Sequence, residues 1–145
     1  MKKAYPILIV QSGEEFSVYA PDMGIYTDGK SVEDAIAKAR DAIGFVGVCV
    51  EDDNALLPQP STQEEAMNKA KQAAETVGYS KGIVTLVDVD FVEYRKQVDN
   101  KTVRRNVTLP NWLNLEAEKS GINVSGVLRD ALINIFGVSK VNSGK

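Results

Sequence analysis

Histidine is absent from this 145-residue chain, and cysteine occurs once, at Cys49. Without histidine there can be no Ser-His-Asp triad, no Cys-His dyad and no imidazole metal ligand; one thiol allows neither an internal disulfide nor a cysteine-based zinc site. These absences remove most familiar enzyme chemistries, and the chain is expected to be no enzyme and to carry no cofactor and no metal. No apolar run approaches the roughly 20 residues of a membrane-spanning helix. The start, Met1-Lys2-Lys3-Ala4-Tyr5-Pro6, leads at once into a strand-like run, and no small-residue cleavage site follows. A cytoplasmic protein with no membrane partner is expected. Cys49 sits on the apolar stripe of a predicted helix and reads as a small buried hydrophobe rather than a reactive thiol.

What is present is divided unevenly. Residues 1–94 hold 8 Lys/Arg against 16 Asp/Glu, a net of −8, while residues 95–145 hold 9 against 4, a net of +5. The basic part suits a polyanion such as nucleic acid, and the acidic part suits a basic protein surface.

Tyr5–Val10 reads as a first strand, opened by a Pro6 of the kind tolerated at a strand start or edge. After the turn Ser12-Gly13-Glu14-Glu15, the alternation of Phe16, Val18 and Ala20 with Ser17 and Tyr19 predicts a half-buried second strand. Pro21-Asp22-Met23-Gly24 turns the chain again, and Ile25-Tyr26-Thr27 makes a short third strand. Ser31 is a good N-cap with Glu33 and Asp34 in the first turn. Val32, Ile36, Ala39, Ile43, Val46 and Val50 then form one stripe, which predicts a helix over about 32–52. Gly44 and Gly47 weaken its second half, but the stripe decides for helix.

The loop Leu57-Pro58-Gln59-Pro60-Ser61 precedes a run over 62–77 that is rich in helix formers and poor in large apolar residues, predicting an exposed helix stopped at Gly78. Gly82–Asp90 is a further strand, Phe91–Val98 a helical turn, and Asp99-Asn100 a linker.

From Lys101 to Leu109 polar and apolar residues alternate, with Thr102, Arg104, Asn106 and Thr108 on one face and Val103, Val107 and Leu109 on the other; Arg105 is the misfit. A short amphipathic helix follows Pro110, with Trp112, Leu113, Leu115 and Ala117. A second, capped by Asn123 or Ser125, carries Val127, Leu128, Ala131, Leu132, Ile135 and Phe136, and stops at Gly137. About 37 residues with one strand cannot bury both helices alone, whereas two copies can pair their strands into a ribbon. A two-stranded ribbon fits the DNA major groove, where Arg can bond guanine and Asn adenine. The cations here could merely blunt a strand edge, but the helix pair behind them favours DNA contact.

The stretch Thr102–Pro110, followed by Trp112-Leu113 and then Gly121-Ile122-Asn123-Val124-Ser125 with Leu128 and Ala131-Leu132, resembles the ribbon-helix-helix at the end of HicB antitoxins. The front half, with Tyr5-Pro6, Phe16–Ala20, Pro21-Asp22, Gly24, Gly29-Lys30-Ser31 and Glu33-Asp34-Ala35, resembles the partial RNase-H-like domain of the same family. The resemblance implies an α+β fold: an N-terminal β-β-β-α-β domain over 1–98 with 62–77 as an inserted helix, a linker over 99–101, a dimerising ribbon-helix-helix over 102–138, and a tail over 139–145. It implies base contacts from Arg104, Asn106 and Thr108, and phosphate contacts from Lys101, Asn123, Val124 and Ser125, at a helix N-terminus that attracts anions. The dimer core would hold Val107, Leu109, Trp112, Leu128, Leu132 and Ile135. The implied partners are a HicA-like ribonuclease toxin, with unknown contact residues, operator double-stranded DNA, and a second copy of the chain, with higher oligomers left open. Two rival readings are a ribbon-helix-helix repressor whose N-terminal domain senses a ligand, and a nuclease working through Asp88 and Asp90. The second lacks any further carboxylate placed beside that pair.

Overall fold

The computed structural model describes residues 1–73, 77–99 and 101–138. The expected tail, part of the linker and residues 74–76 of the expected inserted helix lie outside them. The chain divides into two units, Met1–Asn100 and Lys101–Lys145.

In the first unit, β1 (Lys2–Ser12), β2 (Glu15–Ala20) and β3 (Ile25–Gly29) form a meander, followed by α1 (Val32–Asp52), α2 (Gln63–Gln72), β4 (Ile83–Asp90) and α3 (Phe91–Val98). The antiparallel sheet has the order β3-β2-β1-β4. The predicted first strand lengthens at both ends and becomes an inner strand, so Pro6 does not open it. The ladder with β2 begins at Leu8↔Tyr19, so at Pro6, opposite Leu86, β1 has a neighbour on one side only and accommodates the missing N–H as an edge does.

One face of the sheet packs on α1. Tyr5, Ile7, Ile9, Val18, Val87 and Val89 close with Ala35, Ala39, Ile43 and Phe91 into a core cluster. Ser31 caps α1, its hydroxyl accepting from Asp34 N–H at 3.1 Å. The two glycines that weaken α1 as a sequence are what let α3 approach. A Cβ at Gly44 would lie 2.5 Å from the Tyr94 ring, and one at Gly47 would lie 2.1 Å from the Phe91 ring. Cys49 departs from expectation: it is exposed, because it falls between the buried positions rather than on them.

The other face is also covered, and here the structure corrects the reading of an exposed insertion. The described helix is shorter than 62–77, and its Ala66 and Ala70 are buried. Ala70 joins Leu8, Tyr19 and Tyr79 in a second cluster, flanked by Met67 and Val84. Small side chains bring α2 close to the sheet while leaving it no visible apolar stripe.

A polar lock ties α2 and the proline loop to the meander. Asp22 Oδ2 accepts from Ser61 N–H at 2.8 Å, Asp22 Oδ1 accepts from Lys69 Nζ at 3.0 Å, and the Ser61 hydroxyl also donates to Asp22. Burial alone would raise the Asp22 carboxyl, whose side chain is almost fully enclosed. The hydrogen bonds from Ser61 and Lys69 outweigh that effect and hold it below the usual aspartate value. The Tyr5 hydroxyl fixes the same loop by donating to Pro58 O at 2.7 Å.

Candidate nucleic-acid interface

The second unit is built from residues 101–110, without regular hydrogen-bonded structure, then α4 (Asn111–Lys119) and α5 (Val124–Phe136). The ribbon strand expected over this first segment is therefore not formed in the single chain, since a ladder needs a second strand to accept and donate its bonds.

Asn123 caps α5, its side-chain oxygen accepting from Gly126 N–H at 3.2 Å. The backbone ladder of α5 begins when Val127 N–H reaches Asn123 O at 3.0 Å. Val124 and Ser125 N–H therefore precede the ladder at the positive end of the helix dipole, the arrangement that favours a phosphate oxygen.

Along α5, Val124, Leu128, Leu132 and Phe136 recur every four residues and, with Val103 and Val107, line an open trough of about 1140 Å3. Arg104, Asn106 and Ser125 line it too. The structure thus brings together seven of the residues singled out from sequence: Arg104, Asn106, Val107, Val124, Ser125, Leu128 and Leu132. Lys101, Thr108, Leu109, Trp112, Asn123 and Ile135 are not in its lining. Trp112 and Ile135 stand open, 67% and 73% exposed. Sequence reasoning missed Arg129, Ile133 and Val138, which also line the trough. Arg129 follows Ser125 by one helical turn, and that spacing was the available signal.

No described residue of this unit is buried. Leu128 is 38% exposed, Leu132 44% and Phe136 64%. The described residues of this unit therefore enclose no core of their own, and its largest apolar side chains stay open to solvent.

In the first unit, the acidic pair expected of the nuclease reading has other work. Asp90 caps α3, accepting from Val92 and Glu93 N–H at 3.1 Å each. Asp88 is paired with Arg40 at 3.3 Å and Lys2 at 3.8 Å. Among the described residues no group of three or more Cys, Asp or Glu side chains is placed to hold a metal ion. Among them, too, no helix is long and apolar enough to cross a membrane.

Comparison with known proteins bears on both units. A family model described as the HicB-like antitoxin of bacterial toxin-antitoxin systems matches residues 5–131. The chain is 29% identical over 110 residues to an uncharacterised 14.9 kDa protein from the rep-hol intergenic region of Haemophilus phage HP1 (strain HP1c1), covering 75% of this chain and 74% of that one. Its fold is similar to that of a chain in a toxin-antitoxin complex from Streptococcus pneumoniae, with a TM-score of 0.54 at 23% identity over 92% of this chain and 99% of that one. Against the antitoxin HicB of Burkholderia pseudomallei the identity is 26% over 98% of each chain, with a TM-score of 0.47. The family match spans most of both units, from the first strand into the last helix, and the chain belongs to the HicB-like antitoxins of bacterial toxin-antitoxin systems.

Proposed function

We propose that the two units divide an antitoxin's work. The first, a partial RNase-H-like domain without catalytic activity of its own, binds and inhibits a cognate HicA-like ribonuclease toxin in the cytoplasm. The second dimerises as a ribbon-helix-helix and binds operator DNA, so that the chain represses its own operon.

The observation that carries this reading is the unburied trough of the second unit, lined by Val103 and Val107 together with Arg104 and Asn106; once the segment extends as a strand, its alternation puts Arg104, Asn106 and Thr108 on one face. A second copy supplies the missing ladder partner and closes the trough over Leu128 and Leu132 in one step. The ribbon then turns Arg104 and Asn106 outward in duplicate, where each can make a bidentate base contact worth about 1–3 kcal/mol of discrimination. Val124 and Ser125 N–H supply the anchoring phosphate contact. For the first unit, the support is the meander-helix-strand order and an acidic balance suited to a basic, RNA-binding partner.

The test is a titration of operator DNA, taken from upstream of the gene, with folded Arg104→Ala and Asn106→Ala variants at fixed salt. Each should lose operator affinity steeply while binding toxin normally. Unchanged operator affinity in both variants would remove the ribbon as the reading element.

A further inference from the structure

The two edges of the sheet are built differently. At the β4 edge, Arg40 Nε donates to the Asp88 backbone carbonyl at 3.0 Å, while Arg40 and Lys2 both pair with the Asp88 carboxylate. Cations and a capped ladder acceptor are what blunts a strand edge against pairing. At the β3 edge, Ile25-Tyr26-Thr27-Asp28-Gly29 holds no cation, the exposed Lys30 coming only after its last residue, and the strand pairs with β2 alone.

It also carries a rigid aromatic side chain. The Tyr26 ring stacks on Tyr19 at 4.8 Å with an interplanar angle of 17°, and lies 5.9 Å from Tyr79. Tyr19 and Tyr79 are buried, so Tyr26, 55% exposed, is the open member of a cluster of three rings in mutual contact. Two positions along the strand, and so on the same face, stands the exposed Asp28. A tyrosine already held in place loses little entropy on being covered, and tyrosine is enriched among residues that anchor interfaces. A ring face beside a carboxylate suits a guanidinium or ammonium group, through cation–π attraction and charge pairing.

Resting on the antitoxin reading above, we propose that the β3 edge is where the toxin docks: an arginine- or lysine-bearing strand of the toxin pairs along β3, with its cation over Tyr26 and against Asp28. The occupant is chosen by charge. Residues 1–94 carry a net −8, and a protein that binds RNA presents cations to do so. Strand addition supplies affinity through main-chain bonds, and Tyr26 and Asp28 supply selectivity.

The experiment measures binding of the full chain to the small basic protein encoded beside it, at two salt concentrations, with melting temperature and operator binding as controls of fold. Tyr26→Ala should weaken binding about 30-fold, the scale of an interface hot spot. Asp28→Lys should slow association at low salt. Tyr26→Phe, which keeps the ring, should bind nearly as the parent does, and Leu86→Ser on the β4 edge should bind unchanged. If Tyr26→Ala fails to fold, Asp28→Lys decides alone, since that side chain is open to solvent. A parent that binds while Tyr26→Ala and Asp28→Lys bind equally well, or a defect confined to Leu86→Ser, overturns the inference. A parent chain that does not bind that protein overturns the antitoxin reading itself.

Discussion

Replacing Gly47 by alanine pits two effects of opposite sign against each other. An interior helical glycine costs about 1 kcal/mol relative to alanine, so propensity alone predicts that Gly47→Ala stabilises α1. The packing predicts otherwise, because the new methyl would sit 2.1 Å from Phe91 Cε1, well inside van der Waals contact. Phe91 cannot swing away: it is 1% exposed and lies edge-on to Tyr5, with ring centroids 6.4 Å apart. Overpacking of this kind costs about 1–3 kcal/mol and occasionally more. The balance is a net loss of up to roughly 2 kcal/mol, which in a domain of this size lowers the melting temperature by about 4–8 °C per kcal/mol. Thermal and urea unfolding would read it directly. In a Phe91→Leu background the same substitution should cost less, and that coupling identifies the ring as the cause. A higher melting temperature for Gly47→Ala in the parent background would refute the close approach of α3 to α1.

The remaining expectations concern acid stability and dimerisation. Asp22 is held below its ordinary value of 3.8 by bonds that outweigh its burial, so the stability it lends is fully present above that pH and is lost as pH falls through the folded value. Urea unfolding followed from neutral pH downward should therefore show an acid limb that Asp22→Asn flattens, with Asp22→Asn already weaker at neutral pH; an unaltered limb would show the lock to be idle. Leu128→Ala, in the lining of the trough, should cost the proposed dimer about 2–5 kcal/mol, as other core leucine truncations do. Sedimentation would show this as dissociation at concentrations where the parent stays paired, and a dimer of parental strength would place the interface elsewhere.

Much of this fold was legible because periodicity and caps agreed. The stripe from Val32 to Val50 and the cap at Ser31 set α1 at the observed limits, and of the two residues that could cap the last helix, Asn123 and Ser125, Asn123 does so. The role of α2 was not legible, since a helix that buries alanines shows no large apolar stripe. The signal lay in β1 instead, where the unbroken apolar run from Tyr5 to Val10 marks a strand covered on both faces. Cys49 was assigned to the apolar stripe, but it lies six residues past buried Ile43 and therefore off the buried side, which runs through Ala35, Ala39, Ile43 and Gly47. Gly44 and Gly47 looked like defects because their partners, Tyr94 and Phe91, are remote in sequence. In the second unit alternation separates Arg104 and Asn106 from Val103 and Val107, yet all four line the same trough, because residues 101–110 form no regular strand in the single chain; Trp112 and Ile135 stand outside it.

The division of labour is tested most directly by RNA cleavage with the purified toxin, in the presence of the full chain, of residues 1–98, or of residues 101–138. The account predicts that the full chain and the 1–98 fragment suppress cleavage to the same stoichiometry, while only molecules containing residues 101–138 retard operator DNA. A folded 1–98 fragment that leaves cleavage intact, with suppression residing in residues 101–138, would contradict it.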